Sequence, residues 1–144
     1  MDATLVIRHL DRKAKLTALW LFVFLNMVFR DLHQLGHPGF IEEIMTGIVN
    51  GVQVTDGLML IGGIMIAVPL LIIPLTQFLS VRMSRLANLN IGVLHLVITI
   101  SVNSEPDLDD GFFAVIEIAA ILLILQQAWT WTDRVTETSI AIAE

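Results

Sequence analysis

Four long apolar runs dominate the chain and restrict it to folds that sit in a bilayer. They cover about 16–35, 57–81, 86–104 and 111–132. A spanning helix needs about 20 mostly apolar residues. These runs are continuous, whereas a membrane strand alternates over about 10 residues. Only helices and closed barrels satisfy their backbone in lipid, so the runs read as helices. The expected fold is an all-α integral-membrane four-helix bundle, up-and-down, in a single domain 1–144. Of the 144 residues 56% are hydrophobic and 15% charged. Soluble domains hold roughly 45–50% and about 25%. The absence of cysteine excludes disulfides, thiolate metal sites and a cysteine nucleophile. A net charge of −6 excludes a basic nucleic-acid-binding face.

The basic residues fix an orientation. Arg8, Arg12, Lys13 and Lys15 precede the first run, Arg82 and Arg85 separate the second from the third, and Arg134 follows the fourth. Seven of the eight basic residues thus fall on one side, and only Arg30 does not. The positive-inside rule places both termini in the cytoplasm, followed by a cytoplasmic tail at 133–144. The outward connections carry acids: Glu42, Glu43, Asp56, Glu105, Asp107, Asp109 and Asp110. The first run follows a basic segment as a signal peptide would. No small-x-small cleavage site follows it, so it reads as a permanent helix.

Between the first two runs, His37-Pro38-Gly39 ends one helix. Phe40, Ile41, Ile44, Met45 and Ile48 then recur at helical spacing, which predicts a short interfacial helix over about 39–49. It lies on the membrane surface or covers the outer mouth. Gly47 and Gly51 have GxxxG spacing outside any span. Pro69 and Pro74 should bend the second helix. Trp20, Trp129 and Trp131 read as an aromatic belt at the cytoplasmic interface.

Ionisable groups inside spans are costly and usually face the protein interior. Asn26, Arg30, His33 and His37 share one face of the first helix. Asn88, Gly92, His95 and Thr99 repeat that spacing on the third. Glu117 shares a stripe of the fourth with Phe113, Ala120, Ile124 and Gln127. At about 1.5 Å per residue, Arg30 and Glu117 both lie roughly 9 Å inside the outer end, with His95 and Asn26 somewhat deeper. A cluster of Asn26, Arg30, His95 and Glu117 in the outer half follows, with Asp31 about a quarter-turn from Arg30. Two readings compete. An Arg30–Glu117 ion pair simply locks the helices, or the cluster handles a ligand, an ion or a proton.

Haem would need His33 or His37 to face His95, but their depths differ by roughly 10 Å. His33 and His37 with Glu42 or Glu43 lack the HExxH pattern, so no metal set is expected. The acids at 105–110 lack EF-hand spacing and read as a solvated loop. There is no phosphate loop, nucleophile elbow or triad, and no catalytic residue is expected.

The segment 19–131 resembles a family of small uncharacterised bacterial four-helix membrane proteins, similar in appearance to the broad DoxX-like group. The resemblance rests on Leu25-Asn26 with Asp31, Thr46-Gly47, Gly51, Thr55, Pro69, Arg82, Arg85, Ala87-Asn88, Gly92, Ile116-Glu117 and 128–131. It implies the bacterial inner membrane and no settled activity. The DoxX-like group is associated with quinone-linked redox subunits, so a quinone-binding accessory is one expectation. The leading one is transport, a channel or lipophilic small-ligand binding, at Asn26, Arg30, Asp31, His95 and Glu117, with His33, His37, Asn88 and Thr99 secondary. A structural or regulatory membrane partner is the third. The bilayer and a small lipophilic or ionic ligand are the expected partners, and a homo-oligomer stays open.

Overall fold

The computed structural model describes residues 3–49, 51–103 and 108–131. The tail expected at 133–144 and the acids Glu105 and Asp107 lie outside the described residues. In chain order the elements are α1 (Ala3–Gln34), α2 (Phe40–Thr46), β1 (Ile48–Val49), β2 (Val52–Gln53), α3 (Asp56–Leu70), α4 (Ile72–Phe78), α5 (Val81–Val102) and α6 (Leu108–Trp129). Among the described residues three stretches are long and apolar enough to cross a membrane: Val6–Gln34, Asp56–Phe78 and Val81–Val102.

α1 begins well before the expected first span. Its third and fourth turns are held by Lys15, which pairs with Asp11 one turn away at 2.7 Å. At 32 residues the helix is about 48 Å long, more than a bilayer core requires. The extra length has a packing role. Arg12 Nη1 donates to Gln127 O and Thr130 Oγ1, each at 3.0 Å. Lys13 Nζ donates to Gln77 O at 3.0 Å and Leu79 O at 2.9 Å. These cations satisfy carbonyls that α6 and α4 leave free and complement the negative ends of both helices.

The interfacial helix is shorter than the predicted 39–49. It stops at Thr46 because Gly47 takes a left-handed conformation, with φ 72°. The β-branched Ile48 and Val49 then pair with Val52 and Gln53 in a small antiparallel hairpin, with Gly51 at φ 74°. Gly47 and Gly51 therefore serve as turn residues, not as a helix-packing face. The second apolar run divides at Leu71 into α3 and α4. Pro74 has no N–H to offer Leu70 O, so the α-helical ladder is interrupted there.

α6 packs extensively on both α1 and α5, and α4 fills the space between α1 and α5. Trp20, Phe24, Ile72, Ile121 and Ile124 form the centre of this core. α5 and α6 approach closely at Gly92, where a Cβ would stand 2.8 Å from Leu125 Cδ2. α3 touches its neighbours sparingly. Met59 and Leu60 are each 65% exposed, and apolar side chains cover its whole circumference. Large apolar residues are also exposed along the outer faces of α1, α5 and α6.

Candidate functional site

Two buried polar networks lie along one face of α5. Ser84, Asn88, Gly92, His95 and Thr99 are all buried there, as the helical spacing of Asn88, Gly92, His95 and Thr99 requires.

The first network sits toward the basic end of the molecule. Trp20 Nε1 donates to Asn88 Oδ1 at 2.8 Å. Asn88 Nδ2 donates to Thr76 Oγ1 at 3.0 Å and to Ser84 O at 2.8 Å. Ser84 Oγ donates to Thr76 O at 3.1 Å. One asparagine thereby ties α1, α4 and α5 together. Trp20 is fully buried rather than part of an aromatic belt. Its indole N–H needs a partner once buried, and Asn88 supplies it. Trp131 is also buried and donates to His9 Nδ1 at 3.0 Å, which leaves Trp129 exposed.

The second network sits toward the hairpin end. Glu117 Oε1 accepts from Thr99 Oγ1 at 2.7 Å and lies 3.1 Å from His95 Nε2. With Glu117 ionised, that nitrogen carries the proton and donates. The His95 ring meets Trp20 edge-on at 5.9 Å and packs obliquely on Phe24 at 6.3 Å. Arg30 does not reach Glu117 as the expected ion pair. Its Nη1 donates instead to Asn103 Oδ1 at 3.3 Å, while Asn103 Nδ2 donates to Thr99 O at 2.7 Å. The guanidinium is still near enough for its charge to act on Glu117. Two atoms here are buried without a partner among the described residues: Glu117 Oε2 and Arg30 Nε. A third, Arg85 Nε, lies at the start of α5.

The remaining candidates are placed elsewhere. Asn26 is buried and donates to Phe113 O at 3.0 Å. Asp31 is exposed. His33 and His37 approach Asp109 Oδ2 at 3.4 and 3.2 Å, and Gln34 Nε2 donates to Asp110 Oδ1 at 3.3 Å. The hydrogen bond from His37 holds the Asp109 carboxyl below its ordinary range. Among the described residues no three His, Asp or Glu side chains converge as a metal cage. The sequence reading undervalued Asn103, Thr76, Ser84 and Trp20. A buried tryptophan and a half-buried arginine each demand an acceptor, and that demand is the signal that points to them.

His95 also faces an apolar cleft of about 280 Å³ between α3 and α5, lined by Ile64, Met65, Pro69, Ile91, Leu94 and Ile98. A broader groove of about 550 Å³ runs between α1 and α6 past Phe22, Leu25, Asn26, Phe29 and Phe113.

This arrangement of elements has a family behind it. The chain belongs to DUF6326, a family of unknown function. The family profile matches residues 4–138, so it takes in every helix described above. No curated protein and no solved structure matches the chain. Membership of DUF6326 thus brings no activity with it, and the chemistry has to be argued from the site.

Proposed function

We propose that the chain is a polytopic bacterial inner-membrane protein that binds a lipophilic small molecule carrying a hydrogen-bonding head. In this reading α1, α3–α4, α5 and α6 form an up-and-down four-helix bundle with both termini on the cytoplasmic side. The exposed apolar faces supply the lipid contact, and the sorting of basic residues to one end supplies the orientation. The DoxX-like appearance of the motifs belongs to the same proposal.

The observation that carries the binding reading is the double position of His95. It belongs to the buried network with Glu117 and Thr99, and it also lines the cleft between α3 and α5. Small-molecule sites are typically apolar concavities with a few placed polar groups. Here the cleft receives an apolar tail from the bilayer, and His95 meets the head. α3 is the mobile wall, because it packs so lightly that a small displacement costs little. A quinol, the reduced form of a quinone, is one molecule of this chemistry: its hydroxyl donates to the His95 ring nitrogen that does not face Glu117, and its ring is lipophilic. Transport of such a molecule would follow if α3 moves between two positions.

Native mass spectrometry of protein released gently from its own membrane tests the proposal. We expect an adduct of discrete mass on the wild type and its loss from His95→Ala. Solvent extraction then identifies it, and a quinone shows an ultraviolet spectrum that changes on reduction. An adduct-free wild type, or the same adduct on His95→Ala, contradicts the reading and leaves the buried network as a helix lock.

A further inference from the structure

We propose that Glu117 is a proton-binding site open to the hairpin side only, and that the Gly92–Leu125 contact is the barrier that closes it from the basic side. The proposal is independent of any ligand in the cleft.

The buried face of α5 is polar along most of its length. Ser84 and Asn88 lie toward one end, and His95, Thr99 and Asn103 toward the other. The two polar stretches are separated at Gly92. There α6 fills the gap with Leu125 and Ile124, whose side chains stand 2.8 and 3.9 Å from the position a Cβ would take. Trp20 and Phe24 of α1 pack against the His95 ring in the same layer. Between His95 and Asn88 stand these two rings and Leu125, and the indole N–H of Trp20, already donated to Asn88, has no lone pair to accept a proton.

The hairpin side is different. Glu117 presents one oxygen to Thr99 and His95, while Oε2 is buried with no partner among the described residues. Arg30 Nε on α1 is in the same condition. Two such atoms in one region are the usual signature of internal water, which bridges buried polar groups. Beyond Arg30 come the half-buried Asn103 and Asp110 and the exposed Asp31, a set of polar groups that reaches the surface. The charged and titratable groups acting on Glu117 are Arg30 and Asp31 from α1 and His95 from α5, with Asp110 near Asp31 on α6. In the step itself a hydronium on the hairpin side gives its proton to Glu117 Oε2, leaving water and a neutral carboxylic acid. The return reverses it on the same side.

The test uses the full-length chain in liposomes with an imposed pH gradient and a pH-sensitive dye inside. Wild type should be as tight as empty liposomes. Leu125→Ala removes the barrier and should leak protons. Adding Glu117→Gln to Leu125→Ala should return the leak to the empty-liposome level. A folded Leu125→Ala protein that stays tight overturns the proposal, and so does a leak that survives Glu117→Gln. Should Leu125→Ala fail to fold, infrared difference spectra of the intact protein between acidic and neutral pH decide the matter. A protonated-carboxyl band should appear in wild type and be lost in Glu117→Gln, and its absence from wild type overturns the proposal.

Discussion

The two buried networks on α5 use similar side chains to opposite effect. The donors of Trp20, Asn88 and Ser84 are matched, with the unpartnered Arg85 Nε lying outside their set, and the bonds cross from α1 to α4 and α5. Around Glu117 a carboxylate oxygen and an arginine nitrogen are left over. A satisfied network rigidifies a core, whereas leftover polar atoms mark the place where a fold sacrifices stability for chemistry. On the proposed reading the basic end anchors the molecule and the hairpin end carries the site.

Substitutions in the two networks should differ in kind. The largest effect is expected from Asn88→Ala, which strands the Trp20 N–H and removes links to α4. We expect a loss of about 2–3 kcal/mol in reversible unfolding in detergent. A loss below about 0.5 kcal/mol would mean that the network is not an anchor. Gly92→Ala comes next, since its Cβ must displace Leu125. Overpacking of this kind costs about 1–3 kcal/mol, and adding Leu125→Ala should recover most of it. Without that recovery, the close approach of α5 and α6 is not the reason for glycine.

Glu117→Gln should cost less than about 1 kcal/mol, because the amide oxygen can still accept from both Thr99 and the neutral His95 ring. A cost equal to that of Asn88→Ala would erase the distinction between the two halves. The smallest effect concerns Asp109. His37 depresses its carboxyl below the ordinary 3.8, so the associated stability is complete above that value. It fades as pH falls through the lower folded-state value. Asp109→Asn should lower the melting temperature slightly at neutral pH, and the gap to wild type should close as pH falls below about 4.

Much of this architecture is legible in the sequence, for identifiable reasons. Hydropathy marks the long helices because lipid and core select the same apolar residues. Helical spacing marks the buried face of α5, since Asn88, Gly92, His95 and Thr99 recur at three- and four-residue intervals. The break at Leu71 follows from Pro74, although its position depends on where α4 finds a partner. Other features depend on tertiary contacts that no spacing encodes. Arg30 and Glu117 have compatible depths, yet azimuth brings Asn103 to the guanidinium first. Arg12 and Lys13 read as topology signals, but their bonds to the ends of α6 and α4 become visible only when α1 runs on past the bundle. The light packing of α3 is hidden too, because an all-apolar helix looks the same whether it faces protein or lipid.

The division of labour is tested most directly by thermal unfolding with and without a solvent extract of the native membrane. A ligand that binds only the folded state raises the melting temperature. The account predicts a rise for wild type and for Asp109→Asn, and none for His95→Ala. An equal rise for His95→Ala, or no rise for wild type, would contradict it.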